Sequence, residues 1–403
     1  MKQGWEYCQL EDVVKKGSSN ISLNKIKGED GEFPVFAAKG YVQNVSFFDQ
    51  EEEYLAIIKD GAGIGRVSKH PSKSSVVATM QYLIPKKGFD INFIKYFLEG
   101  IDFEKHRSGS TIPHIYFKDY KSEKFPKVPL PEQQHIVSIL DEAFSAIDKA
   151  KANTEQNLKN AAALFESYLQ GVFSEIFHSN ETKKIKELAK VVGGYSFKSK
   201  DFKKSGKYQV IRMGNVRPGI IRENENPVFI DKIDEKVLSR ATLHPNDVII
   251  TQTGTKNKRD YGFTVIIEKT NYLLNQRIAA IRFTKLYLPK FFLYFSWTDL
   301  FKDQYFANET GTVGQGNVGI KAITDSKVPF IPLDQQEKIV EKIDTILVET
   351  QKLETIYQKK IDDLEELKKS ILQKAFAGEL KAEIAQKYDL KDTLNLAAEP
   401  TIK

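Results

Sequence analysis

Two stretches of the chain carry apolar residues at every third and fourth position for more than forty residues, with charged and amide residues between them. The first runs from Pro131 to about Phe177, through Ile136, Leu140, Ala143, Ile147, Leu164 and Tyr168. The second runs from Asp334 to Ala377, through Ile339, Ile343, Ile346, Leu353, Tyr357, Leu364, Leu367 and Ile371, and Gly378 follows as a C-terminal cap. That spacing predicts two amphipathic helices. At 1.5 Å per residue each would be about 65 to 70 Å long. A narrow apolar stripe on so long a helix must be buried, and the nearest partner is the other copy. The two are therefore expected to form an antiparallel coiled coil within the chain, with the fourteen residues named above along its seam. The middle of the first stripe is small and polar, with Ala150, Thr154, Asn157 and Ala161, where the second offers Tyr357 and Lys360.

Outside the helices the pattern changes period. Residues 1–128 and 180–330 contain short β-rich runs, among them Tyr54 to Ile58, Ser75 to Ile84, DVIITQT, FTVIIE and RIAAIRF, broken by Gly and Asn turns. Aromatic helical pieces follow near Phe93 to Leu98 and Phe291 to Phe301. The fold class expected is α+β: two mixed α/β domains in tandem repeat, 1–128 and 180–330, joined by long helices at 129–179 and 331–380. A C-terminal tail, 381–403, completes the chain.

The two halves are copies. VPLPEQQHIVSILD from Val128 matches IPLDQQEKIVEKID from Ile331, so that Pro129 corresponds to Pro332, 203 positions on. The same offset holds through SYLQGVF and SILQKAF. Upstream it drifts, from 175 at Val35 and Val210 to 193 at Gly61 and Gly254 and 198 at Tyr96 and Tyr294. The second copy has thus gained about 28 residues in loops, where insertions are tolerated, and none in the helix, where they are not.

Composition narrows the class without naming a function. With 403 residues, 41% hydrophobic and 11% aromatic, the chain can fill two or three cores, and its net charge of +6 suits a polyanionic partner. The lone Cys8 cannot form an internal disulfide, no apolar run would span a membrane, and the N-terminus does not read as a secretory signal, so a cytoplasmic location is expected.

No catalytic motif accounts for the chain. GAGIGR, Gly61 to Arg66, is followed by turn and strand residues rather than the helix a dinucleotide loop must open. Asn226, Pro227, Val228 and Phe229 lack the second proline of an adenine-gripping methyltransferase motif, and reads as a loop. There is no GxxxxGK[ST], no HExxH and no Cys/His cluster, and His70, His114, His135 and His244 are scattered. Neither catalytic residues nor metal ligands nor a cofactor bound by this chain are expected. Binding is the default function.

GSTIPHIYFKDYKSEKFPKVPLPEQQHIV and GTVGQGNVGIKAITDSKVPFIPLDQQEKIV, each leading into a long helix, together with KAFAGEL at Lys374 to Leu380, resemble the paired conserved regions of type I restriction-modification specificity subunits. The resemblance covers nearly the whole chain in order: target-recognition domain, helix, target-recognition domain, helix. It implies a non-catalytic subunit that reads a split DNA sequence, one half-site per domain, and holds two methyltransferase subunits. Those would use S-adenosylmethionine, and restriction subunits using ATP with magnesium would join the full complex. Other readings are the specificity subunit of a type IIB-like system, or a coiled-coil adaptor that binds no DNA.

On the DNA reading, two similar domains on an antiparallel helix pair match the dyad of a duplex, with half-site centres about 34 Å apart and unlike half-sites. Arg, Lys and amide side chains in the loops supply the donors that read bases and hold phosphates. The candidates are Lys39, Lys59, Arg66, Lys69, Lys73, Ser110, Thr111 and His114 in the first domain. In the second they are Arg212, Asn215, Arg217, Lys256, Asn257, Lys258, Arg259, Arg277, Gln315 and Asn317.

Overall fold

A computed structural model describes residues 5–312 and 314–380; the tail expected at 381–403 lies outside the described residues. The described residues divide into two compact units, 5–157 with 357–380, and 158–356. The division falls inside both long helices, so each unit owns one sheet-containing part and a portion of each helix.

In the first unit a four-stranded antiparallel sheet runs in the order Val14–Ser18, Met80–Pro85, Tyr54–Ile58, Val67–His70. Its central strand is buried at all five positions, and the reason is a period of two. Leu55 and Ile57 point into a cluster shared with helix α1, Ile91–Glu99, while Tyr54, Ala56 and Ile58 point into a second cluster. That second cluster is closed by a three-stranded sheet, Gly40–Val45, Phe33–Ala37, Ser75–Val76. An unbroken apolar run is what a strand with a packed layer on each face requires.

The second unit repeats this arrangement. Its four-stranded sheet is Ala189–Gly193, Ile278–Phe283, Val248–Thr251, Thr264–Ile266, and its three-stranded sheet is Phe229–Ile230, Tyr208–Ile211, Tyr272–Leu274. In both three-stranded sheets the middle strand pairs antiparallel with one neighbour and parallel with the other. Val248 and Ile250 face one cluster and Ile249 the other, as in the first unit. The duplication therefore extends to register, which sequence drift had obscured.

The repeated start of each long helix has a structural cause. Helix α2 spans Leu130–Ser179, and its Gln133 is 1% exposed. The Gln133 side chain accepts from the amide of Asp90 at 2.8 Å and donates to the carbonyls of Val128 at 2.8 Å and Gly88 at 3.3 Å. Asp90 is the N-cap of α1, its carboxylate accepting from the amides of Asn92 and Phe93. In the second unit, helix α3 is Pro289–Ser296 and helix α4 is Leu333–Phe376. Gln336, fully buried, accepts from the amide of the α3 N-cap, Leu288, at 2.8 Å and donates to Ile331 and Leu286. A second bolt repeats too: the Tyr96 hydroxyl donates to Asp141, and the Tyr294 hydroxyl to Asp344.

The helices run antiparallel in the first unit and also touch in the second. In the first, Lys151 pairs with Glu365 and Asp148 with Lys368; in the second, Lys342 lies over the Tyr168 ring. Ile136, Leu140, Ile147, Leu364 and Ile371 are buried in the first unit's main cluster, against which Ala143 and Leu367 pack. Ile343 is buried in the second unit's cluster, with Tyr168 and Ile339 against it; Ile346, Leu353 and Tyr357 are half-buried. Leu164 corrects the expected seam, being 59% exposed. Its neighbours Ala161 and Leu169 are buried instead, because the inward face moves past position 164 along a helix of 3.6 residues per turn. The small middle of the first stripe is buried as expected, Ala150 at 4% and Thr154 at 3%, with the Thr154 hydroxyl returned to the Ala150 carbonyl.

Candidate nucleic-acid interface

In each unit the central sheet ends in loops that the fold gathers at one place. In the first, Asp60 and Ser108 both bridge to His114, and the His114 ring nitrogen Nδ1 lies 2.6 Å from an Asp60 carboxylate oxygen. The Gly61 to Arg66 segment is a hairpin connection between Tyr54–Ile58 and Val67–His70, as its sequence implied. Arg66, exposed, reaches back to the Ala38 carbonyl at 3.4 Å, beside Lys39 at the tip of the next hairpin. Lys59, Arg66, Lys39 and the Ser110, Thr111, His114 loop thus belong to one neighbourhood. Lys69 stands apart in an ion pair of 2.9 Å with Glu53, and Lys73, in a left-handed turn at φ 52°, shares no contact with the cluster among those described.

The second unit brings together two loop groups. The first is the 254–262 loop and the Thr310–Thr312, Gln315–Asn317 hairpin, joined by a three-stranded ribbon through Thr253–Gly254. Lys256 donates to the Gly311 carbonyl, and the Asn257 amide to Glu309. The Thr255 hydroxyl and amide hold Asp260 below the usual carboxylate range, pinning the base of the loop. Lys258 at its tip is exposed. Arg259 is less free than its sequence neighbours: it pairs with Asp303 at 2.9 Å and lies over the Phe306 ring. Gln315 and Asn317 are exposed, Asn317 accepting from the Thr253 hydroxyl at 3.3 Å.

The second group lines an open cleft of about 500 Å³ containing Arg212, Arg217 and Arg277. Gln252 links the groups, its amide donating to the Arg277 carbonyl while its neighbour Thr253 enters the ribbon. Asn215, expected among the DNA contacts, lies in the wall of this cleft with its side chain buried. It is 3% exposed, its side chain accepting from the Arg212 amide and donating to the carbonyls of Arg222 and Glu225. A short amide that can close a turn on its own backbone is consumed by that turn. Sequence reading missed Asn275 and Gln276, which line the cleft beside Arg277; three donor-bearing residues in a row between two apolar strands were the available signal.

Among the described residues no group of three or more His, Cys, Asp or Glu could hold a metal ion, and no helix is long and apolar enough to cross a membrane. Two α+β units of one topology, each carrying a basic and amide-rich loop cluster at the end of its sheet, define a duplicated recognition protein. The chain belongs to the type I restriction modification DNA specificity family, whose model matches residues 2–160 and 178–365. It is the sequence-specific DNA-recognition subunit of a type I restriction-modification system.

Its relatives include the EcoKI specificity subunit of Escherichia coli K12, 24% identical across 98% of this chain and 89% of that one. The MjaVIII specificity subunit of Methanocaldococcus jannaschii is 23% identical across 94% and 93%. Among solved structures, a chain from work on complex assembly and conformational transition of the type I R-M system superposes with a TM-score of 0.73 at 15% identity. It covers 94% of this chain and 99% of that one. The HsdS subunit of Thermoanaerobacter tengcongensis gives 0.54 at 15% identity, covering 94% and 97%.

Proposed function

We propose that each unit takes one half of a split, asymmetric duplex target, and that the chain performs no chemistry itself. On this reading it presents the target, in the cytoplasm, to two methyltransferase subunits that methylate adenine from S-adenosylmethionine. Restriction subunits using ATP and magnesium act in the full complex. The observation that supports unlike half-sites is that one backbone frame carries different loop chemistry in its two copies. The amide of Lys59 donates to Thr79 and that of Gln252 donates to Arg277, which makes Thr79 and Arg277 equivalent positions. Asp60 with His114 likewise occupies the place of Thr253 with Asn317. Equal frames set equal placement on DNA, and unlike side chains set unlike base preference.

The test is to co-express the chain with the methyltransferase subunits of its system and map methylated adenines across a host genome. One split motif with unlike halves is expected. A palindromic or continuous motif would refute the half-site assignment, and methyl transfer by the isolated chain would refute the non-catalytic one.

A further inference from the structure

Three arginines line the cleft of the second unit, and their side chains are not in equivalent states. Arg212 donates to the Asn226 carbonyl at 2.6 Å, and Arg217 to the carbonyls of Gly214 and Val216. Those two are tied to their own backbone. The Arg277 side chain is exposed, and its guanidinium makes no hydrogen bond or ion pair among the described residues. Its backbone is nevertheless fixed: it sits at φ 68°, its carbonyl accepts from Gln252, and the Gln276 amide next to it donates to Tyr195. A free guanidinium on an anchored backbone is prepared to meet a ligand at a defined place.

The wall of the cleft says which ligand. Two polar atoms there are buried without a partner, Nε of Arg212 and Oδ1 of Asn275. Glu225 lines the same cleft, its carboxylate paired with Arg222 at 3.4 Å. A phosphate offers acceptors alone and would leave the Asn275 oxygen without a donor. The major-groove edge of a base pair offers both acceptors and donors, and guanine presents O6 and N7 in the geometry a guanidinium fork matches.

We propose that Arg277 is a specificity-determining residue that reads a guanine in the half-site of the second unit, and that Thr79 holds the corresponding position in the first. This rests on the split-target reading given above. Thr79 lacks a guanidinium and lacks the left-handed backbone, so the first half-site has no guanine imposed at the matching place.

The test compares the wild-type chain with Arg277→Asn and Arg277→Gly, each assembled with its methyltransferase subunits. Asn and Gly both tolerate positive φ, so the fold is retained, and melting temperatures verify this. Binding is measured on duplexes carrying every single substitution of the methylated motif. For Arg277→Gly, discrimination is expected to fall about 5- to 150-fold at one G·C pair of one half-site, the other half unchanged. Arg277→Asn is expected to move preference at that pair toward adenine. An unchanged substitution profile in both variants would overturn the proposal. So would uniform weakening on all sequences with a salt slope lower by about one, the mark of a phosphate contact. A wild-type assembly that shows no split motif would overturn the functional reading and this inference together, which separates the two failures.

Discussion

Replacing Gln133 by alanine removes a side chain that is 1% exposed and makes three hydrogen bonds, two at 2.8 Å and one at 3.3 Å. The amide of Asp90 and the carbonyl of Val128 are left without partners. An unsatisfied buried polar group costs about 1 to 3 kcal/mol, so for these two groups, with the longer bond to Gly88 counted as minor, the loss is about 2 to 6 kcal/mol. Gln336→Ala removes the equivalent bonds to Leu288, Ile331 and Leu286 and should cost a similar amount in the second unit. The two glutamines share no partner, so the double variant should be additive to within about 0.5 kcal/mol. Urea titration followed by far-ultraviolet circular dichroism measures all three. A Gln133→Ala variant within about 0.5 kcal/mol of wild type would refute the view that these bonds fasten the start of α2 to α1.

Leu164→Ser should leave stability within about 0.5 kcal/mol, as the residue is 59% exposed, whereas Leu364→Ser at 6% exposure should cost roughly 2 to 5 kcal/mol. The reverse order in urea midpoints would contradict the observed seam. Burial pushes His70 down to about 4, and it stacks on Tyr54 in the core of the first unit. Both folded and unfolded states are neutral there above pH 6.5. As pH falls from 6.5 to about 4 the unfolded chain takes the proton first, and roughly 2 to 3 kcal/mol is lost. His70→Phe should remove one proton's worth of that slope in pH-dependent unfolding; an identical slope would count against a buried neutral imidazole.

The large plan is legible in the chain's own pattern. A repeat that keeps its 203-residue offset through the helices and drifts upstream separates rigid seams from tolerant loops, because a helix stripe cannot absorb an insertion and a surface loop can. Apolar spacing likewise announced the two helices almost to their ends, Leu130–Ser179 and Leu333–Phe376. Which polar residues are spent on the fold emerges from long-range packing. Asn215, Gln133 and Gln336 look like any surface amide in a sequence, yet their hydrogen bonds run to backbone groups between 3 and 50 positions away. Arg259 is claimed by Asp303 and Arg277 is left free, although both are arginines in loops at positive φ. Periodicity records which face of an element is buried, since burial repeats with the backbone. Whether one charged side chain finds a partner depends on what a distant loop places beside it, and no local pattern carries that.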